Sequence, residues 1–559
     1  MVFLPIVERE LRVAARRRGT YWARTIVAGG ALLLFGGVMG ILSLQRAGGQ
    51  TGLILFSIFS WLAFMAVCAA GVLLTFDSLS EEKREGTIGL LFLTDLRGYD
   101  VVLGKLLASS LQAAYGLLAA FPIMGITFLI GGVTGLEFWR LVLVLCNTLF
   151  FSLVIGVCVS TVSRDAQRAL TATVLLILGI VVGFPMVDSA LTGWDNTKFV
   201  PRLSYLSPFY GFLQAVQTRP VGMALNVCLV HASGWLLLGL ASFLAPRTWQ
   251  EKSRNPSAGT VRGRRVRARW SARRAALRER WLAQNPVRWL AARELWLGRF
   301  MWVFCGIMGL LVAVAWAIQD RQAATTVGFV LYYLAGFVIK LWLISQACLF
   351  FLEGARSGLL ELLLTSPLSP QQIVRGQAWA LRRRFLVPTL LLLCAHATMT
   401  VIQIRSTTIT VAGPAGGTTA QAPMLNDLVI TQMVAGIGSL ITVVTGMFAL
   451  GWFGMWMGLI SRKINPAILK TLVFVDFLPA LVLAFLQGLL MVGMSFARVP
   501  VWVPSIIVVV GQVVADLTFI QIARRRLLTR FREILTRATG APNLASLAQP
   551  PPLPLPIKQ

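Results

Sequence analysis

The chain has little charge and almost no histidine. Of its 559 residues 13% are Asp, Glu, Lys or Arg, about half the share in ordinary soluble domains, and 57% are hydrophobic. That balance excludes a water-soluble globule. Two histidines and seven scattered cysteines exclude zinc fingers, haem attachment and a disulfide framework. His231 and His396 each fall in an apolar stretch, where a hydrogen-bonded structural histidine is the plainer expectation. No phosphate-cradling loop is present: five residues separate Gly98 from Gly104-Lys105 where four are required, and Leu106 stands where a magnesium-binding Ser or Thr belongs. With no His-Glu-x-x-His or Cys-x-x-Cys pair either, this chain is not expected to be an enzyme or to hold a cofactor or metal.

What the sequence has instead is long apolar runs separated by basic segments. About 20 apolar residues cross a hydrocarbon core, since each helical residue rises about 1.5 Å. Twelve segments qualify: 23–44, 52–76, 106–130, 138–161, 169–190 and 221–245, then 299–318, 326–352, 385–405, 427–460, 468–491 and 502–523. They are numbered spans 1 to 12. The 427–460 segment is long enough to contain a break. The expected fold is therefore an all-α polytopic membrane protein of about 12 transmembrane helices.

Charge sets the orientation. Fifty-one Lys and Arg against 22 Asp and Glu give a net charge of +29. With both termini cytoplasmic, about 42 of the basic residues lie in cytosolic segments and about eight in external ones, as the positive-inside rule requires. A bacterial inner membrane, crossed many times, is the expected location. Residues 246–298 carry arginines from Arg262 to Arg280 interleaved with Trp270, Trp281, Trp289 and Trp296. A basic, Trp-bearing stretch beside a membrane points to anionic lipid heads rather than to nucleic acid. The tail from Gly540 on, with Pro550-Pro551-Pro552, has the composition of a disordered segment.

The chain also repeats itself. Arg9-Glu10-Leu11 before span 1 returns as Arg293-Glu294-Leu295 before span 7. The segment after span 2 returns after span 8 at an offset of 272: Glu81, Arg84, Gly86, Leu90, Leu91 and Leu96 recur as Glu353, Arg356, Gly358, Leu362, Leu363 and Leu368. Ser163-Arg164 returns as Ser461-Arg462. Each half has an even number of spans, so the halves are parallel repeats related by an axis along the membrane normal. The expected division is a first six-span module at 1–245, a basic linker at 246–284, a second module at 285–525 and a tail at 526–559.

Each repeated segment has a charged start, a short apolar helix, a break at Ser/Thr-Asp/Pro-Leu, and a second short helix leading into the next span. Glu81, Arg84, Glu353 and Arg356 are expected to fix the start of each helix by ion pairs or capping. Gly86 and Gly358 are expected to allow close backbone approach, and Leu96 and Leu368 to turn the second helix toward a partner. Within the spans, Lys340 and Asp476 are the titratable residues read as well buried, and they become candidates for lining a pathway; Lys340 is expected either to pair with an acid such as Asp476 or to snorkel toward the headgroups. Asp188, Asp427 and Asp516 lie nearer span ends, where solvation is expected to be easier.

The residues now quoted resemble the permease subunits of ABC transporters of the ABC-2 exporter class. Those permeases are similar in carrying a basic Arg-Glu-Leu helix before the first span and a Glu-x-x-x-Gly-Thr-Leu-Glu-Leu-Leu-Leu-x-Thr-Pro-Leu-Ser segment after the second. Glu82 to Leu96 and Gly358-Leu-Leu-Glu-Leu-Leu-Leu-Thr-Ser-Pro-Leu-Ser369 resemble that segment, and Leu206-Ser207-Pro208-Phe209-Tyr210 before span 6 is similar to the family as well. Asp95 replaces the usual proline in the first half, and Ala355 and Ser357 replace charged residues in the second. The resemblance implies a pathway between two six-span modules. It also implies two cytosolic ABC ATPase subunits as partners, which hold the ATP and Mg and dock on the segments from Glu81 and from Glu353. A six-plus-six secondary transporter driven by an ion gradient is the alternative, and the intramembrane Lys340 and Asp476 are the features it would use.

Overall fold

A computed structural model describes residues 25, 28–39, 51–93, 96–192, 200–248, 279, 282–292, 301–309, 321–412, 422–496, 500 and 502–539. The described residues are helical apart from turns and short connections, and no strand occurs among them. Helices are what hydrocarbon demands, because each satisfies its own backbone N–H and C=O groups where no water can.

Ten of the described helices are long and apolar enough to cross a membrane: Thr51–Glu85, Gly98–Ile130, Gly135–Val162, Ala166–Ser189 and Met223–Thr248, then Leu331–Arg356, Pro370–Ile404, Val429–Ile460, Ile464–Leu490 and Trp502–Thr529. They correspond to spans 2–6 and 8–12. Expected spans 1 and 7 fall partly outside the described residues, with helix at Ala28–Met39 and at 301–309. Arg9-Glu10-Leu11, Arg293-Glu294-Leu295, most of the basic linker, and the tail from Gly540 also lie outside them. Span 10 is one unbroken helix, Ala422–Ile460, so the break its length allowed is not there.

Short helices complete the described architecture, among them one at Phe531–Thr539 after span 12 and five that bear on the site. The last turns of the helix from Thr51 form a separate polar helix, α1 (Ser80–Glu85), after a π-turn at Gly71–Thr75. Helix α2 (Thr87–Phe92) follows, then α3 (Pro208–Ala215), α4 (Pro286–Ala292) and α5 (Leu359–Thr365). The expected second short helix after α2 and α5 is not separate. It forms the first turns of spans 3 and 9, whose helices start at Gly98 and Pro370.

Span 4 forms the middle of the first module and packs against spans 2, 3 and 6; span 10 does the same in the second, against spans 8, 9, 11 and 12. Between membrane helices the hydrophobic effect is weak, so close approach of small residues carries the packing. Ser152 and Gly156, one turn apart on span 4, face the π-turn of span 2, and Ser160, a turn further on, meets the start of α1. The Ser152 hydroxyl donates to the Val67 carbonyl at 2.8 Å. A Cβ on Gly156 would stand 1.8 Å from Thr75 Oγ1 and 2.5 Å from the Gly71 carbonyl oxygen. The repeat puts Gly454 and Gly458 at the places of Gly156 and Ser160. A Cβ on Gly454 would lie 3.0 Å from Ala347 Cβ, and one on Gly458 would lie 2.4 Å from the Cys348 carbonyl oxygen.

Among the contacts between the halves, span 5 packs against span 8, and the start of span 11 against the π-turn of span 2. Exchanging the halves turns span 5 into span 11 and span 8 into span 2, so the two contacts are one contact used twice. A two-fold axis between parallel repeats would give such a pair of contacts.

Away from α1 and α2, the Leu206–Tyr210 motif builds α3. Ser207 caps it by accepting the Phe209 N–H at 3.2 Å, and Asn226 Nδ2 donates at 2.9 Å to the carbonyls of both Tyr205 and Ser207. Phe212 then stacks on Phe64 of span 2 with ring centroids 4.6 Å apart. Only 1% exposed, Asp188 accepts the backbone N–H groups of Arg202, Leu203 and Ser204 at 2.8, 3.2 and 2.7 Å.

Gly156→Val should cost at least about 1–3 kcal/mol through overpacking, because the atoms it meets include backbone. By contrast, Gly451→Ala in span 10 enters open space and should leave thermal unfolding of the detergent-purified chain within about 0.5 kcal/mol of the parent. Equal melting of the two variants would show that the span 2–span 4 crossing is not close.

Candidate functional site

The repeated segments lie where the two modules meet, and their charged residues take different partners in the two halves. In the first half, Ser160 Oγ accepts the backbone N–H groups of Leu79 and Ser80 at 2.8 and 3.0 Å and so starts α1. Asp77, buried just before it, accepts the Ser80 hydroxyl at 2.5 Å and both ends of the Arg84 guanidinium at 2.9 Å. This fork-to-carboxylate geometry fixes the Arg84 side chain. Its Nη1 also donates to the Arg164 carbonyl at 3.0 Å.

In the second half Arg356 makes the equivalent bond to the Arg462 carbonyl. Its own half holds no equivalent of Asp77, since Leu349 stands there. Arg356 instead reaches into the first half, with Nη2 3.0 Å from Glu81 Oε1 and Nη1 3.6 Å from Glu85 Oε1. Lys463 joins from the loop between spans 10 and 11, its Nζ 3.0 Å from Glu81 Oε2. The place of Lys463 is taken in the first half by Asp165. Glu81 thus holds two cations of the opposite module, and two sequence differences between the repeats, Asp77/Leu349 and Asp165/Lys463, account for the one-sided arrangement.

Beside this clasp, Lys83 donates to the Thr161 carbonyl and, at 2.9 Å, to Thr248 Oγ1, tying α1 to spans 4 and 6. Glu82 pairs with Lys105 of span 3 at 2.6 Å. Glu353 is exposed at the end of span 8.

Gly86 and Gly358 have φ of 74° and 72°, a left-handed conformation that costs glycine little and other residues more. No atom of this chain lies within 4 Å of a Cβ built on either, so within the chain the turn, rather than close packing, calls for glycine. Each turn launches a short apolar helix. The repeat equivalents Ile88 and Leu360 are 2% and 0% exposed and anchor α2 and α5 to the bundle. Two residues on, Leu90 and Leu362 are 66% and 69% exposed. Leu363, Leu96 and Leu368 are half-buried, while the Leu91 side chain and Asp95 lie outside the described residues. The following helices start alike: Asp100 accepts the Arg97 N–H at 2.9 Å, and its equivalent Gln372 accepts the Ser369 N–H at 2.8 Å.

Within the spans, Lys340 Nζ lies 2.6 Å from Asp476 Oδ1, and both side chains are partly exposed. Asp476 sits in a π-turn at Leu472–Phe477, the kind of local unwinding that often marks functional positions. The first half has Cys68 and Leu178 at these places, so the ion pair belongs to the second module alone. The expected order of burial is reversed: Asp516 is fully buried, as is Asp188, and both exceed Lys340 and Asp476. The reason is tertiary. Asp516 accepts the Thr445 hydroxyl at 2.6 Å and Gln512 Nε2 at 3.1 Å, so it does not need the span end for solvation. Both histidines have partners: His231 lies between Asn147 and Trp235 at 3.0 Å each, and His396 meets the Ser439 hydroxyl.

Sequence reasoning missed Asp77, Lys463, Ile88 and Leu360. The Asp77–Arg84 spacing and the buried position of Ile88 carried faint signals, as an acid at the end of an apolar run and a β-branched residue before leucines.

A helical membrane protein made of two parallel modules, with matched short helices at the base of spans 2 and 8, is the class that this arrangement defines. Residues 4–245 match the family described as ABC-2 family transporter protein. The all-helical fold of the described residues, with its ten candidate membrane spans, fits an ABC-2 permease. No curated protein matches the chain.

Removing the clasp tests its geometry. In a double-mutant cycle, Glu81→Ala and Arg356→Ala should show a coupling of about 0.5–1 kcal/mol in thermal unfolding of the purified chain. Additive effects would mean that the two modules are not joined through Glu81.

Proposed function

We propose that the chain forms the translocation pathway of an ATP-driven exporter, and that separate ABC ATPase chains bind α2 and α5. The observation that carries this reading is the pairing of a buried anchor with an exposed leucine at the same two positions of both repeats, Ile88/Leu90 and Leu360/Leu362. A leucine held two-thirds exposed on a helix whose base is fixed by the bundle suits helix-in-groove recognition, in which a few apolar anchors supply most of the binding. The positive-inside count puts both short helices on the cytosolic face, together with both termini.

In this reading ATP and Mg are held by two partner subunits, and their closure moves α1–α2 and α5 as levers on spans 2–3 and 8–9. Leu91, Leu363, Leu96 and Leu368 support the docking surface. Glu81, Arg84, Glu353 and Arg356 keep the bases of the levers in register. The Glu81 clasp closes the cytosolic end between the modules, so the ATPase stroke has to strain or part it. Lys340 and Asp476 supply the polar side of a pathway otherwise lined by apolar residues.

Leu90→Asp with Leu362→Asp should reduce the ATP hydrolysis that co-purifies with the tagged chain to less than about a tenth, since burying one unpaired carboxylate costs several kcal/mol. Ile88→Asp would be a poor test, because it disturbs the bundle itself. If the double variant retained its ATPase activity and still eluted as a folded species, the docking assignment would be wrong.

A further inference from the structure

The two modules differ along one face of their third helices. Span 9 carries Arg375, Trp379, Arg382 and Arg383, spaced i, i+4, i+7 and i+8 and therefore on one face of the helix. The equivalent residues of span 3 are Leu103, Leu107, Ser110 and Leu111. No carboxylate occurs in the sequence between Glu361 and Asp427.

Helix α4 adds to the cluster. It is fastened to the start of span 9 by the fully buried Val287 against Gly376 and by Asn285 Nδ2 donating to the Gln372 carbonyl at 2.8 Å. There it holds the Arg288 guanidinium 5.0 Å from the centre of the Trp379 ring, and the Arg383 guanidinium lies 5.5 Å from the same ring.

The next turns of the same face are exposed and apolar, Leu386 and Leu390 being 48% and 50% accessible. The uninterrupted apolar run begins at Phe385, so Arg382 and Arg383 stand where hydrocarbon gives way to headgroups. A basic and aromatic cluster followed along one face by exposed leucines matches a molecule with a phosphate at one end and acyl chains at the other.

We propose that this face of span 9 binds one anionic glycerophospholipid. Arg288, Arg382 and Arg383 surround its phosphate around Trp379, and the acyl chains lie along Leu386 and Leu390. The site is single, because the first module has no equivalent. It is separate from the docking helices and does not depend on the exporter reading.

Native mass spectrometry of the full chain, released from detergent and titrated with phosphatidylglycerol or phosphatidylcholine, tests the site. One phosphatidylglycerol should be retained with about a tenfold or greater preference, on the basis of two or three arginines at the headgroup. The triple variant Trp379→Leu, Arg382→Ser, Arg383→Leu, which copies the first module, should bring the two lipids to parity. Arg382→Ser alone should reduce the preference several-fold, and it serves if the triple variant does not fold. An unchanged preference in these variants overturns the proposal. So does displacement of the lipid by millimolar inorganic phosphate, which would make this a site for the free ion.

Discussion

Glu81 is the hinge of the arrangement, because it is where charge from one module meets charge from the other. It receives Arg356 and Lys463 from the second half, and it does so at the base of α1, the helix that positions α2. A carboxylate with two cationic partners at the rim of a low-dielectric bundle is screened less than a surface pair, so its position is well determined. The close glycine crossings of spans 2 and 4 and of spans 8 and 10 hold the ends of spans 2 and 8 firmly enough for these side chains to meet. Without those crossings the ion pairs would have no fixed ground to stand on.

The repeats share a frame and differ in its fittings. Backbone features recur: the left-handed Gly86 and Gly358, the capping by Asp100 and Gln372, and the bonds from Arg84 and Arg356 to the Arg164 and Arg462 carbonyls. The charged side chains that surround them do not recur. Asp77 keeps Arg84 at home, whereas Leu349 sends Arg356 across. The Lys340–Asp476 pair and the arginines of span 9 likewise occur in one module only.

Much of this was legible in the sequence because the bilayer imposes a simple rule. A helix must bring about 20 apolar residues, and Lys and Arg accumulate on one side. The repeat at offset 272 located both short helices and most of the residues at their bases. Direction within those helices was not legible, because a run such as Leu359–Leu364 has no polar residue but Glu361 to mark its outward face. Lys463 was out of reach for a different reason: it lies 382 residues from Glu81, and pairing over that distance follows from tertiary placement alone. Asp188 and Asp516 show the same limit from the other direction. Their nearness to span ends suggested water, but the backbone of 202–204 and the side chains of Thr445 and Gln512 solvate them inside the protein.

Joining both modules in one polypeptide has an electrostatic consequence. A pathway assembled from two copies of one six-span chain carries every ionisable residue twice, facing its own image across the axis. An ammonium at the depth of Lys340 would then oppose a second ammonium, and two like charges in a poorly screening interior repel strongly. Here the image position is Cys68, a neutral thiol. Covalent fusion thus permits an ion pair in one half, Lys340 with Asp476, that has no image in the other, and with it a lateral field that two identical halves cannot have at their axis.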